Sequence, residues 1–360
     1  MSGEDPSTAV EPPLVCWPLD HYYSPIPDNR ALSREPARSR VWPPKPPETP
    51  GIDWRADEQI TLVRDKFARQ VPFKIPNGPT GDPGDYHAAN EMFSRLDAWM
   101  LQAMLRHHRP RRMIEVGCGW SSLMTARVNR EELGGALDFT CIEPYPPDFL
   151  GDGIDGISRL IVSPVEQVPV DTFLSLGPGD FLFIDTSHTV KTGGDVVFLL
   201  QEVLPRLSPG VIVHIHDIFL PWDYPQEWVL VGRAWNEQYA VRSFLSFNSA
   251  FEILLSVAWL SQFAPDVLEA SLPGFPQEYG DGGGSLWMRR TAPSDARQPS
   301  RARISLPASD QQAVADVEIS LAEARARYEH LRQRKAVRLA LRLAALRHWR
   351  PWRRSPRAVR

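Results

Sequence analysis

The sequence predicts an α/β fold: a doubly wound, mostly parallel sheet of seven strands, with a disordered N-terminal arm before it and a C-terminal helix after it. Three observations predict it. Short apolar runs alternate with amphipathic stretches between residues 90 and 217, the pattern of parallel strands joined by crossover helices. Four of these runs end in an acid, Glu115, Glu143, Asp185 and Asp217, and open α/β sheets bind ligands at the carboxyl ends of their strands. The first run passes through two glycines, Gly117 and Gly119, straight into a helix.

Composition divides the chain before any element is placed. Residues 1–50 hold 12 of the 35 prolines, densest at Pro43-Pro44-Lys45-Pro46-Pro47. Prolines at that density exclude a helix or a central strand, so a largely disordered arm is expected there, pinned to the body by aromatics such as Trp17, Tyr22, Tyr23 and Trp42. Residues 51–290 are the expected core domain, 291–308 a Pro/Ser/Arg-rich linker, and 309–360 a helical, basic tail.

Within the core, Asn90 to His107 reads as a helix with Met92, Phe93, Leu96, Trp99, Met100, Ala103 and Met104 on one face. The first strand, Met113 to Val116, follows it. The second strand, Leu137 to Ile142, meets Glu143 and is stopped by Pro144; the third is Leu160 to Val162, followed by Pro164-Val165-Glu166. The turn Gly177-Pro178-Gly179-Asp180 opens a fourth strand, Phe181 to Asp185, and a helix then buries Val196, Val197, Leu199, Leu200, Val203, Leu204 and Leu207. Ser208-Pro209-Gly210 starts the fifth, Val211 to Asp217. Phe251 to Trp259 and Ser285 to Arg289, the latter preceded by Gly282-Gly283-Gly284, complete the sheet as an antiparallel pair.

The first strand carries the chemistry. Gly117 and Gly119 let the backbone turn tightly and approach a ligand, and the free amides at the helix start beside Ser121 and Ser122 favour polar or anionic groups. A dinucleotide fingerprint would need a Gly or Ala at position 122, which is Ser, and no Gly-Lys-Ser/Thr exists for a phosphate loop. Glu115 places a negative charge inside the turn, which suits an amine better than a pyrophosphate. The ligand this pattern fits best is S-adenosylmethionine, against the alternative of an ordinary strand-to-helix turn. Glu143 stands 24 residues beyond Gly119, near the spacing of about 20 at which an acid reaches ribose hydroxyls. Glu166, by its position after the third strand, is assigned to the adenine end.

With these motifs the chain resembles the class I S-adenosylmethionine-dependent methyltransferases, in the group found as small-molecule and glycan-tailoring O-methyltransferases, over residues 85 to 290. Glu115-Val-Gly117-Cys-Gly119 matches the family's first motif and Glu143 its ribose-binding acid; Asp185-x-x-His188 and His216-Asp217 match the ends of its fourth and fifth strands. The resemblance implies the Rossmann-like methyltransferase fold and methyl transfer to a hydroxyl of a sugar, glycan precursor or related small molecule. A hydroxyl is a poor nucleophile at neutral pH, so the reaction needs a general base, a metal that lowers the hydroxyl's pKa, or both. His188 is the candidate base. Asp185 and Asp217 are candidate ligands for a divalent ion, magnesium or manganese, with His216 a third.

Metal-dependent macrolide-sugar O-methyltransferases similarly place a base His three residues after a metal-binding Asp, then an adjacent acid pair. Here His216 stands where an acid is expected, which shifts preference toward manganese, iron or zinc, or leaves the metal unbound. Alternatively Asp185 and His188 cap the next helix and bond each other, and one of His214 and His216, two apart on one strand face, is a satisfied core histidine. Beyond Asp217, an aromatic, proline-punctuated segment is placed to cover the acceptor. Trp222 or Tyr224 would stack on a sugar ring and Glu237 and Gln238 would bind hydroxyls, the alternative being a packed surface helix and its loop.

Charge and cysteine usage bound the partners. The net charge is −4, but residues 332–360 contain eleven Arg or Lys and no acid, which leaves −15 on the other 331 residues. An acidic body argues against nucleic acid as a partner. The three cysteines, at 16, 118 and 141, form neither a disulfide framework nor a zinc spacing. No basic-then-apolar leader and no run of about 18 apolar residues is present, so the expected location is the cytoplasm.

In the tail, Val314, Val317, Leu321, Ala324, Tyr328 and Leu331 form a short heptad seam suited to self-association over 314–331. Arg334, Arg338 and Arg342 beside Leu339, Leu343 and Leu346, with Trp349 and Trp352, suggest peripheral contact with an anionic membrane or an acidic partner, against a solvated tail. Two competing functions remain at this level. One is a non-catalytic S-adenosylmethionine-binding protein docking on a membrane-associated assembly; the other is a nicotinamide-dependent Rossmann enzyme.

Overall fold

The computed structural model describes residues 17–291 apart from 19–20, 71–73, 83, 91, 152, 273 and 281. The heptad seam, the basic tail and all but residue 291 of the linker fall outside the described residues, as does Cys16. Five parallel strands form most of the sheet: β1 (Arg112–Val116), β2 (Asp138–Ile142), β3 (Arg159–Ile161), β4 (Phe181–Ile184) and β5 (Ile212–Ile215). β6 (Phe251–Ser256) and β7 (Leu286–Arg290) complete it, and the spatial order is β3-β2-β1-β4-β5-β7-β6. β7 runs antiparallel between β5 and β6, placing Leu286 opposite both Ile215 and Ser256. The order reverses between β1 and β4, and a crevice opens at the carboxyl ends of two such strands, whose connections leave in opposite directions.

The central strands read as nearly continuous apolar runs because both faces are covered. Side chains alternate across the sheet. Met113, Phe139, Phe181 and Phe183 pack on one side with α1 (Arg95–His108) and α2 (Trp120–Glu131). Ile114, Val116, Leu182, Ile184 and Val213 pack on the other, with the segment 195–207 and α3 (Glu237–Leu245). Cys118 and Cys141 are buried and free. Among the described residues, no helix is long and apolar enough to cross a membrane.

Four expectations need correction, each for a local reason. The helix expected from Asn90 begins at Arg95, because the Asn90 carboxamide oxygen accepts from the amides of Met92 and Phe93 and Ser94 then caps the helix through the Asp97 amide. Such side-chain-to-backbone bonds compete with helix formation, and here they release Met92 and Phe93 from the helix face. The strand expected to run to Trp259 stops at Ser256, whose hydroxyl accepts from the Trp259 amide and starts α4 (Val257–Phe263). The single helix expected over 196–207 is a short α-turn (Asp195–Phe198), a wider turn (Leu199–Val203) and a tight one (Leu204–Arg206). Pro205, which has no amide to donate, lies in the last.

The arm is the fourth. Over residues 21–50 it carries two short helices, Asn29–Leu32, capped by Asp28, and Ala37–Val41. Proline excludes helix only where it must donate or follow a turn, and neither helix contains one. Trp42 anchors this segment by donating from Nε1 to the Tyr224 carbonyl at 2.8 Å. Tyr22 and Tyr23 remain exposed, and the ring neighbours of Tyr23 among the described residues are Trp17, His21 and Tyr22 of the arm itself.

Candidate active site

The turn after β1 is built by close approach. Gly117 has φ +83°, and a Cβ there would lie 1.5 Å from the Asp185 carbonyl oxygen at the end of β4, so only glycine fits between the two strands. At Gly119 a Cβ would meet nothing within 4 Å, leaving the turn open above the sheet. Glu143, one residue past β2, accepts from the Cys118 and Tyr145 amides at 3.3 and 2.8 Å. A cavity of about 470 Å³ runs from Gly117 past Glu143, Tyr145, Val165 and exposed Glu166 to Asp195. A second, of about 510 Å³, shares Gly117, Glu143, Asp185, Thr186 and Ser187 with it and extends over Gly119 and Ser121 to His188 and Asp217. At their junction the Thr186 hydroxyl is buried with no partner among the described residues, so it is free to meet a polar ligand there.

Glu115 is not where a free charge is expected. It is fully buried in β1 and lines neither cavity. One carboxylate oxygen accepts from the Ser121 hydroxyl and the other has no partner among the described residues. Burial pushes its pKa up to about 8 against the pull of Ser121 and Ser122, so at neutral pH it is predominantly a neutral acid. Ser122 likewise serves the turn, accepting from the Gly119 amide at 3.1 Å. Of the turn's expected cofactor contacts, Gly117, Gly119 and Ser121 face the cavities, while Glu115 and Ser122 support them from behind.

His188 is the centre of the second cavity, held from every side. The amides of Asn236 and Glu237 donate to its carbonyl at 3.0 and 3.1 Å, and its Nδ1 lies 2.9 Å from Glu237 Oε2. Nε2 lies 3.2 Å from Asp185 and 3.5 Å from Asp217. His188 and Asp217 both have left-handed backbones, φ +54° and +55°, a cost that neighbouring contacts must over-determine and that recurs at functional sites. Burial lowers the His188 pKa, but its hydrogen bonds and charge interactions with Asp185 and Glu237 more than reverse this and push it up to about 10. Burial also raises Asp217 and Glu237, whereas the charges of His216 and His188 hold Asp185 below its usual range despite its burial.

Ligating atoms of Asp185, His188 and Asp217 all lie within 4.8 Å of one another, a spacing that can hold a metal ion. Two carboxylates and an imidazole are donors for a magnesium- or manganese-type cation. His216, expected as the third ligand, does not join them. Its ring faces Phe93 at 5.0 Å, with Nε2 3.7 Å from the neighbouring Asp217 and Nδ1 unpartnered. The left-handed turn at Asp217 swings that carboxylate toward His188, whereas His216 stays on the face of His214. His214 stacks on Phe183 at 3.8 Å and its Nε2 pairs with the Ser285 hydroxyl, a packed core histidine whose Nδ1 has no partner among the described residues.

The acceptor side also differs from expectation. Trp222, Tyr224 and Gln238 do not line the cavity. Gln238 accepts from the Phe219 amide and donates to the Trp222 carbonyl, and the buried Tyr224 hydroxyl accepts from the Gln238 amide; together they clamp the segment after β5. Glu237 holds His188 instead of meeting solvent. The walls are Met92, Phe93, Trp120, Phe149, Trp228 and Trp235, with Arg233. Trp228, Arg233 and Trp235 lay in the segment expected to cover the acceptor, but spacing alone did not show which of its aromatics turn inward. Met92, expected on a core face, is 70% exposed; the Asn90 and Ser94 capping pair is the signal for it in the sequence.

Residues 114–218 match a family described as a methyltransferase domain. A protein of Archaeoglobus fulgidus, described only as an uncharacterized protein, is 33% identical over 164 residues, which cover 44% of this chain and 73% of the relative. Over residues 114–218 the chain belongs to that methyltransferase family. Among solved structures it is similar to the S-adenosylhomocysteine-bound methyltransferase PaMTH1 of Podospora anserina, 20% identical, covering 66% of this chain and 88% of that one at a TM-score of 0.35. It is also similar to the O-methyltransferase TomG of Streptomyces achromogenes in complex with S-adenosylmethionine, 15% identical, covering 54% and 79% at 0.33.

Proposed function

We propose that the chain transfers the methyl group of S-adenosylmethionine to a hydroxyl of a sugar, glycan precursor or related small molecule, with Asp185 and Asp217 holding a divalent metal and His188 as general base. The observation that carries this is the meeting of Asp185, His188 and Asp217 where the glycine-turn cavity opens into the aromatic one. Gly117, Gly119 and Ser121 would receive the methionine end of the cofactor, Glu143 the ribose hydroxyls, and the pocket by Val165 and Glu166 the adenine. The sulfonium methyl would then face the second cavity, beside His188.

Glu237 fixes the imidazole. With Nδ1–H donated to Glu237, Nε2 is the atom left to take the acceptor's proton, as a buried acid sets the tautomer of a catalytic histidine. Flanked by free carboxylates, however, that imidazole is already protonated and cannot act as a base. A divalent ion bound by Asp185 and Asp217 would neutralise two of the three acids around His188 and lower the pKa of a coordinated hydroxyl. A second reading follows from the same distances: Nε2 is itself the third ligand.

The test is turnover of S-adenosylmethionine with hydroxylated sugar acceptors, with and without Mg²⁺ or Mn²⁺, in wild type and His188→Ala. Metal-dependent O-methylation that is lost in the variant, with binding of S-adenosylhomocysteine and Mn²⁺ retained, supports His188 as the base. Loss of Mn²⁺ affinity in the variant supports the ligand reading. Full activity in the variant, or transfer indifferent to chelator, refutes the mechanism.

A further inference from the structure

Arg233 lies at the acceptor cavity with its guanidinium carbon 4.4 Å from the Trp228 ring centre and 4.9 Å from that of Trp235. The two indoles are 5.4 Å apart and nearly perpendicular, so the cation sits in an aromatic corner. Stacking of this kind restrains the guanidinium plane while leaving its in-plane N–H donors to a ligand. Among the described residues, no carboxylate pairs with Arg233. Of the two acids in the same segment, Asp223 is engaged by the Tyr239 hydroxyl and the Tyr224 amide, and Glu227, in the helical turn Gln226–Leu230, forms no ion pair with Arg233.

The rest of the cavity makes an unpaired cation there informative. Its floor is acidic, with Glu143, Asp185 and Asp217, and would repel an anion. Arg233 also flanks Trp235, whose ring is 4.3 Å from the His188 ring. Two consecutive steps, of 4.3 and 4.9 Å, therefore separate the proposed base from the guanidinium, a span one six-membered ring with a single exocyclic group can bridge. Resting on the methyltransferase reading above, we propose that the acceptor carries an oxyanion, a carboxylate or a phosphate, on the ring that bears the methylated hydroxyl, and that Arg233 is the specificity-determining residue that binds it. The oxyanion takes the guanidinium fork, the ring lies against Trp235, and the hydroxyl is turned to His188.

Calorimetric titration of the protein's S-adenosylhomocysteine complex with methyl β-D-glucuronide, glucose 6-phosphate and methyl β-D-glucoside tests this. At least one acidic probe is expected to bind about tenfold more tightly than the neutral glucoside, the size of one charge-assisted contact, and which one binds separates carboxylate from phosphate. Arg233→Met, which keeps an apolar stem over the indoles, should erase the preference while leaving S-adenosylhomocysteine affinity unchanged; Arg233→Lys should keep part of it. Equal affinity for all three probes in wild type, a preference that survives in Arg233→Met, or no binding of either acidic probe up to about 10 mM overturns the proposal. Failure of wild type to bind S-adenosylhomocysteine at all would instead sink the methyltransferase reading and this inference with it.

Discussion

Replacing Glu115 by Gln should make the protein more stable at neutral pH, although the change removes the acid of its most recognisable motif. Glu115 is fully buried in β1 with one oxygen unpartnered, and its pKa stands at about 8 against an ordinary value of 4.5. In the unfolded chain it ionises near 4.5, so between that pH and 8 folding must take up a proton. Because its folded pKa is raised, the stability linked to Glu115 is fully present below pH 4.5 and is lost as pH rises through 8. At about 1.4 kcal/mol per unit, the loss at pH 7 is of order 3 kcal/mol.

Gln keeps the acceptor for the Ser121 hydroxyl and has no proton to lose. Urea unfolding followed by circular dichroism at pH 5, 6, 7 and 8 measures the difference between the two proteins. It should grow in favour of Glu115→Gln by roughly 1.4 kcal/mol per pH unit. A difference that is flat with pH, or a Gln variant less stable than wild type at pH 7, would show that the carboxylate is ionised in the fold and that the burial argument is wrong.

Other perturbations probe the remaining parts of the site. Gly117→Ala places a Cβ 1.5 Å from the Asp185 carbonyl oxygen at φ +83°, so it should cost several kcal/mol and abolish binding of S-adenosylhomocysteine; calorimetry with native-like affinity would contradict the described turn. Glu237→Gln removes a partner that holds the His188 pKa up near 10, so the imidazole resonances should titrate at lower pH by NMR, and an unchanged midpoint would mean that Glu237 does not set it. The stability linked to His188, fully present below about pH 6.5 and lost as pH rises through 10, should shrink in the same variant. Trp42→Phe breaks the 2.8 Å bond to the Tyr224 carbonyl, worth about 1 kcal/mol. It should raise the acceptor KM several-fold and leave cofactor affinity alone; equal effects on both would place the arm's influence elsewhere.

How far the sequence could be read depended on the range of the interaction involved. All seven strands were legible because their signals are local, apolar runs of strand length, most of them stopped by an acid, a proline or a glycine turn; the end of β6, set by the Ser256 cap, was overrun. Gly117 and the pairing of Asp185 with His188 were legible for the same reason, since i and i+3 positions and a tight turn are set within a few residues. The errors came from side chains whose partners are distant in sequence. Glu237, read as a hydroxyl binder, holds His188 across 49 positions, and nothing in its own neighbourhood reports that. His216 lost its assigned role to the left-handed backbone at Asp217, a conformation no residue pattern announces. Met92 and Phe93 were placed on a helix face by periodicity, whereas Asn90 and Ser94 reset where that helix begins. Local capping outweighed the apolar stripe.

The proposed acceptor wall and the cofactor turn come from separate stretches of chain. Gly117, Gly119 and Glu143 follow β1 and β2, whereas Trp228, Arg233 and Trp235 belong to a segment beyond β5 that α3 and the Trp42 anchor clamp from outside. A replacement of residues 225–236 would therefore exchange the surface the acceptor meets without touching a strand, the glycine turn or Glu143. The component around Gly117 is fixed by backbone contact, whereas the second is fixed where Asn236 holds the His188 carbonyl and the Val190 amide. Divergence within this group should accumulate in that second component first, and a library confined to it is the short route to a new acceptor.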